Sequence, residues 1–271
     1  EKVHSEIFNR VSVDFGGSGQ YGISAEELLT DQRTRPDYSP AFLEKVYEMG
    51  RHWFIINSGK YPCISSQVNS TINLLTAGAV QGDLKEGMEA YFRWMEEIAP
   101  DCRKNSENIF GLQGASYPLF PDKGIGVSFY YNSAPEIGIW PYWISAGGWL
   151  LRHFWEYYLA TGDEEFLKNR LVPAYKELAL FYENFLTITD KDGNYIFVPS
   201  ISPESLPRST EPSGPVLVNA TMDISVCREV LTILIQASEI LGIEKENIEK
   251  WNAMLDRMPP YMVEMDGTLK E

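Results

Sequence analysis

A series of helical segments, separated by two long irregular stretches, is the feature that most constrains the fold of this chain. Apolar residues recur at helical spacing between glycine and proline stops. They predict helices over 40–57, 69–80, 84–100, 143–160, 164–186, 221–241 and 244–258. Pro173 lies inside the fifth segment and is expected to kink or divide it. A small hairpin is predicted over 188–199, with Asp192-Gly193 as its turn.

Helices in this order predict an all-α fold, and two architectures fit them: an α/α barrel of helical hairpins or an α-solenoid. The chain shows no self-similarity at the ~34- or ~40-residue periods of solenoid repeats, which favours the barrel. A complete barrel of six hairpins needs about twice the helices predicted here. We therefore expect the N-terminal portion of an (α/α)6 barrel over 39–271, preceded by a leading segment over 1–38.

Charge and composition exclude several classes of partner. The chain has 38 acidic and 23 basic side chains and a formal net charge of −15, so a nucleic-acid backbone or an anionic membrane surface would repel it. No apolar run approaches the ~20 residues that span a bilayer. The 3 cysteines and 3 histidines are widely scattered. They predict neither a disulfide framework nor a histidine-based metal site.

The two irregular stretches, 111–140 and 200–218, are the predicted location of function. Loops of this length are uncommon in compact domains and tend to be functional or disordered. The first stretch is rich in aromatic side chains, among them Tyr131 and Trp140, which argues against disorder. An α/α barrel carries its site at the mouth, where the loops between helices lie. We therefore expect Tyr131 to contribute to substrate binding.

Glu204 is the candidate proton donor in the second stretch. It follows Pro203 and lies close to Pro199, and prolines restrict the backbone around it. A carboxyl group that is partly desolvated there would have a raised pKa, as a general acid requires. The alternative is an ordinary exposed loop glutamate.

Amide and indole side chains supply the other candidates. Gln67 and Asn69 leave the same face of an extended segment, and carboxamides orient a water or a sugar hydroxyl without adding charge. We group Asn73 with them as a substrate-binding candidate; helix capping by Asn69 or Ser70 is the alternative. Trp140 and Trp143 lie at a loop-to-helix junction, where an indole stacks on a sugar ring or packs in the core.

Several segments, taken in order, resemble the catalytic domain of glycoside hydrolase family 95, the α-L-fucosidase family. The resemblance rests on Phe8-Asn-Arg-Val-Ser-Val-Asp14, Trp143-Ile-Ser-Ala-Gly-Gly-Trp149, His153-Phe-Trp-Glu-Tyr-Tyr158, Thr161-Gly-Asp163, Ser200-Ile-Ser-Pro-Glu204, Thr221-Met-Asp223 and Asp266-Gly-Thr-Leu-Lys-Glu271. It covers most of the chain and implies a six-hairpin glycosidase fold.

The resemblance also implies a mechanism and a substrate. Glu204 would be the general acid of an inverting hydrolase acting on α-L-fucosides or related neutral glycans. Asn69 matches the second asparagine of the family's water-activating N-x-N pair, whose first asparagine is Gln67 here. The family's base, an aspartate, would lie beyond Glu271. No metal or organic cofactor is implied, and the enzyme is expected to be periplasmic or secreted, with no signal peptide in this chain.

Two other functions remain open from the sequence. The family's N-x-N-x-E-M-N-Y-W segment has become Gln67-Val-Asn69-Ser-Thr-Ile-Asn73-Leu-Leu, which permits a non-catalytic relative that only binds glycans. A helical scaffold whose aromatic loops bind protein is the second alternative. The sequence does not predict an oligomeric state.

Overall fold

The computed structural model describes residues 2–20, 22–64, 70–76, 78–119, 121, 124, 142–202 and 216–269. These residues are mainly helical, and isolated bridges supply their β pairing. The helices are α1 (Lys2–Phe8), α2 (Ala25–Gln32), α3 (Pro40–Asn57), α4 (Ser70–Thr76), α5 (Lys85–Asn105), α6 (Ala146–Thr161), α7 (Glu164–Phe166), α8 (Val172–Phe185), α9 (Thr221–Leu241) and α10 (Lys245–Asp256).

The chain divides into two compact units. The first comprises Glu1–Cys63 and Leu74–Trp94, and the second comprises Ile64–Asn73 and Met95–Glu271. The predicted boundary after residue 38 stays a prediction.

The first unit is organised around α3, which carries two buried charged side chains. Glu44 accepts hydrogen bonds from the backbone N–H groups of Phe15, at 2.6 Å, and Gly17, at 3.0 Å. Arg51 donates through Nη2 to the Ile7 carbonyl at 2.8 Å. A buried charge is tolerated when it is hydrogen-bonded. These bonds therefore fix the chain before α2 and the end of α1 against α3.

The second unit is a layered packing of α6, α8, α9 and α10, with α9 buried along its length. Two adjacent glycines of α6 allow the helices to approach closely. A methyl group at Gly147 would clash with Leu178 of α8, and one at Gly148 would clash with Val226 and Val230 of α9. The Gly-Gly pair therefore gives α6 its place in this core.

Most predicted helices are present in the structure. Helix α9 has the predicted bounds and ends at Gly242, which adopts the left-handed conformation typical of a helix C-terminus. Pro173 divides its segment as expected, because a π-helical turn over Leu167–Leu171 separates α7 from α8 just before it. The hairpin is confirmed by an antiparallel bridge between Thr189 and Tyr195.

The expected end of a helix at Pro100 is wrong, since α5 runs through this proline to Asn105. Ile98 and Cys102 are both fully buried, so the apolar face continues past Pro100. Pro100 is exposed, and so is Glu96, the residue four positions earlier whose carbonyl loses its helical partner. Packing of the buried face outweighs the loss of one backbone hydrogen bond.

Candidate functional site

Five predicted site residues lie outside the described residues: Gln67, Asn69, Tyr131, Trp140 and Glu204. Their assigned roles stay predictions. The described side chains that border these residues in the chain therefore define the candidate site.

Trp143 and Asn73 are the predicted site residues that the structure describes. Trp143 is fully buried, which favours core packing over stacking on a sugar. Its indole Nε1 has no hydrogen-bond partner among the described residues, and neither does the buried Oδ1 of Asn73. Buried polar groups are normally paired. These two atoms are therefore a donor and an acceptor whose capacity the described part of the chain does not use.

Asp223 is a fully buried carboxylate that joins three segments of the second unit. Its Oδ1 accepts a hydrogen bond from Ser145 Oγ, just before α6. Its Oδ2 accepts from Ser200 Oγ at 2.6 Å and from the Ile201 N–H at 3.0 Å. The Ser200 hydroxyl in turn accepts from the Ala220 N–H at 3.0 Å. Hydrogen bonds to an ionised acceptor are among the strongest in proteins, so this cluster holds its segments firmly.

Asp223 occupies the first turn of α9, where the helix dipole stabilises negative charge. A carboxylate is an acceptor-only group with two oxygens. It therefore accepts all three donors at once, which a neutral amide, with one acceptor oxygen, cannot do in the same geometry.

A short antiparallel stem joins the two described ends of the second irregular stretch. The backbones of Ser200 and Leu217 exchange both hydrogen bonds, at 3.0 and 2.7 Å. Asn219 donates its N–H to the Phe197 carbonyl at 3.0 Å and accepts the Phe197 N–H on Oδ1 at 2.7 Å. Asn219 has a φ of 60°, which asparagine tolerates better than most residues. The described residues on either side of positions 203–215 are thus held next to each other.

Tyr182 fixes the chain that follows the first irregular stretch. Its hydroxyl donates to the Ile144 carbonyl at 3.2 Å, next to Ser145. Burial raises the pKa of Tyr182 well above its ordinary value, so its hydroxyl keeps its proton. Because Ser145 and Ser200 donate to one carboxylate, the residues bordering both predicted functional stretches come together at Asp223.

This arrangement was only partly visible in the sequence. Ser200 and Asp223 belong to two segments that carry the family resemblance, Ser200–Glu204 and Thr221–Asp223. The resemblance marked these segments but assigned no role to either residue. Ser145 precedes Asp223 by 78 residues, and no spacing rule links such a pair.

Two cavities among the described residues lie elsewhere. One of about 530 Å³, in the first unit, is lined by residues that include Arg51, Trp53 and Leu74. Another, of about 270 Å³, in the second unit, is bordered by the Glu96–Arg170 ion pair. Neither is lined by Asn73, Trp143 or the Asp223 cluster, so we do not assign the chemistry to them.

The same described residues hold neither a metal-binding cluster nor a membrane-spanning helix. No group of three or more His, Cys, Asp or Glu side chains gathers into a metal-binding cluster there. No helix among them has the length and apolar character needed to cross a membrane.

Comparisons with known proteins support the predicted fold. The chain resembles the solved structure of a putative kojibiose phosphorylase from the human microbiome, with a TM-score of 0.50 and 11% identity, over 81% of this chain and 34% of that one. At this identity the likeness concerns the fold alone. Together with the helical content of the described residues, it confirms the predicted all-α, α/α-barrel-like fold.

Sequence comparison identifies the family. The chain is 28% identical over 294 aligned residues to alpha-L-fucosidase 2 of Arabidopsis thaliana. That alignment covers 99% of this chain and 34% of the relative, so the chain spans about a third of the relative's length. Residues 65–271 match the glycosyl hydrolase family 95 catalytic domain. The match covers more than half of the chain and confirms the predicted resemblance, so the chain belongs to glycosyl hydrolase family 95.

Proposed function

We propose that the full-length protein hydrolyses glycosidic bonds of α-L-fucosides or related glycans by an inverting single displacement. The observation that carries this proposal is the family 95 match over residues 65–271, which includes Glu204. The relative named alpha-L-fucosidase 2 supports the choice of fucoside as the first substrate.

In the proposed reaction, Glu204 donates its proton to the glycosidic oxygen as the bond from that oxygen to the anomeric carbon breaks. A water molecule attacks the anomeric carbon from the opposite face, and its proton passes to a carboxylate base. Asn69 and Gln67 orient this water through their amide groups. An inverting pair leaves room for the water, with carboxyl groups ~6.5–9.5 Å apart. We assign the base to an aspartate C-terminal to Glu271, as the family resemblance implies.

The described residues give this proposal a structural basis on either side of Glu204. Ile201 is fully buried and its N–H is bound to Asp223, while Ser200 and Leu217 pair across the stem. A general acid must be held within hydrogen-bond reach of the leaving oxygen. A segment anchored at both ends meets that requirement better than a freely exposed loop.

The proposal is tested by screening the full-length protein on aryl glycosides, with phenyl α-L-fucoside first. General acid catalysis typically contributes ~10²- to 10⁴-fold, so Glu204→Gln should lower kcat by about 100-fold or more. Glu211→Gln is the matched control, because Glu211 is also next to a proline in the same irregular stretch. This control should keep the wild-type rate.

Two results would overturn parts of the proposal. A Glu204→Gln variant with an unchanged kcat would remove Glu204 from the mechanism. Binding of glycans without turnover by the wild-type protein would instead favour the non-catalytic relative, which the replacement of the family's first asparagine by Gln67 permits. Cellular location remains a separate prediction: we propose export, on the family resemblance alone.

A further inference from the structure

We propose that Asp223 is a positioning residue that acts through Ser200 to hold Glu204 in its proton-donating position. This inference rests on the proposed function, because it assumes that Glu204 is the general acid. It assigns a role to a buried carboxylate that does not itself touch the substrate.

Asp223 holds the chain that leads to Glu204 at two points. Asp223 Oδ2 binds both the side chain of Ser200, at 2.6 Å, and the backbone N–H of Ile201, at 3.0 Å. Two bonds to consecutive residues fix the direction of the chain as well as its position. Ile201 and Ser202 are buried, so the chain cannot adjust there without disturbing the core.

Only a short length of chain separates this anchor from the acid. Glu204 follows Ile201 by three peptide bonds, and an extended chain spans ~3.3–3.6 Å per residue. The covalent path from the anchor to the acid is therefore at most about 11 Å of chain. A shift of 1 Å at the anchor is comparable with the misplacement that reduces turnover ~10²-fold in well-oriented sites.

The other polar atoms of the cluster are bound as well. Ser200 Oγ also accepts the Ala220 N–H, so the same hydroxyl links the anchor to the chain just before α9. Asp223 is bound to Ser145 on its other oxygen. Loss of the Ser200 hydroxyl therefore removes two of the contacts that hold the chain leading to Glu204, whereas the Ile201 N–H and Ser145 stay bound to Asp223.

The test separates positioning of an acid from general support of the fold. A phenyl glycoside needs a proton donor, whereas a 2,4-dinitrophenyl glycoside releases a stabilised phenolate without one. We compare kcat on these two glycosides of the same sugar for wild type, Ser200→Ala and Asp223→Asn in the full-length protein. Both variants should lose about 10-fold or more on the phenyl glycoside and less than about 3-fold on the dinitrophenyl glycoside.

Ser238→Ala is the matched control, because Ser238, like Ser200, carries a fully buried hydroxyl, and its partner among the described residues is the Leu234 carbonyl of its own helix α9. It should leave the ratio of the two rates unchanged. Circular dichroism shows which variants are folded, and if Asp223→Asn does not fold, Ser200→Ala decides the question alone.

The outcomes are distinguishable from failure of the proposed function when Glu204→Gln is measured in parallel. If Glu204→Gln loses rate selectively on the phenyl glycoside but the Ser200 and Asp223 variants do not, the positioning role is wrong and the hydrolase assignment stands. Equal losses on both glycosides for those variants also contradict positioning. If Glu204→Gln shows no selective loss, both proposals are wrong.

Discussion

At the scale of single residues, the clearest electrostatic feature outside the Asp223 cluster is Glu156 on α6. Its carboxylate lies 2.9 Å from Nδ1 of buried His153 and 3.3 Å from Nε of Arg152. The hydrogen bond with His153 lowers the pKa of Glu156 below its ordinary value of 4.5, against the opposing effect of partial burial. His153 and Glu156 belong to one of the family segments, and their spacing of three residues on a helix brings them together.

This pairing predicts a pH dependence of stability. Because the folded pKa of Glu156 is below its unfolded value, its contribution is present above about pH 4.5 and is lost as the pH falls through the folded pKa. Glu156→Gln should therefore unfold more readily at pH 6 and show a smaller loss of stability on acidification. Urea unfolding at several pH values measures this. Exposed Glu249→Gln is the control, and equal pH profiles for wild type and Glu156→Gln would contradict the account.

Residue-scale contacts differ in how visible they are in a sequence. The His153–Glu156 pair follows from helical spacing alone. The donors to Asp223 lie 78, 23 and 22 residues away from it, and no local rule connects them. The sequence therefore identified Glu204 as a candidate acid from the prolines around it. The contacts of Asp223 became known only from the folded structure.

At the scale of elements, the sequence predicted helices best where stop signals agree with packing. Helix α9 is bounded by Gly242, and its bounds are those predicted. Helix α5 passes Pro100 because burial on the opposite face outweighs one lost hydrogen bond. Helix α2 was not predicted, although Ser24 and Glu27 form a capping box that is readable as S-x-x-E.

Replacing a glycine by alanine should have opposite effects on stability at a packed position, Gly148 of α6, and at an open one, Gly50 of α3. A methyl group at Gly148 meets Val226 and Val230, whereas nothing lies within 4 Å of one at exposed Gly50 in α3. Overpacking typically costs ~1–3 kcal/mol, and replacing a helical glycine by alanine gains ~0.5–1 kcal/mol.

Gly148→Ala should therefore lower the midpoint of thermal unfolding, and Gly50→Ala should leave it unchanged or raise it. Differential scanning calorimetry measures both midpoints. A Gly148→Ala variant at least as stable as wild type would show that α6 and α9 do not pack as described.

At the scale of the whole molecule, the chain belongs to family 95 and carries a predicted proton donor, Glu204. The all-α class and the family were both predictable, because periodicity and ordered motifs are properties of the sequence. The substrate is a separate matter, since the altered segment from Gln67 to Asn73 lies in a region where the family's pocket residues are expected. Turnover measured on a panel of glycosides identifies the sugar that the protein accepts.

The central claim is that the full-length protein cleaves glycosides with inversion, and the configuration of the first product tests it most directly. Proton NMR during hydrolysis of an aryl α-L-fucoside, or of the α-glycoside that the screen identifies, should show the β anomer of the free sugar first, with the α anomer appearing by mutarotation. Initial formation of the α anomer would contradict the single displacement, and no hydrolysis of any glycoside would contradict the assignment as a hydrolase.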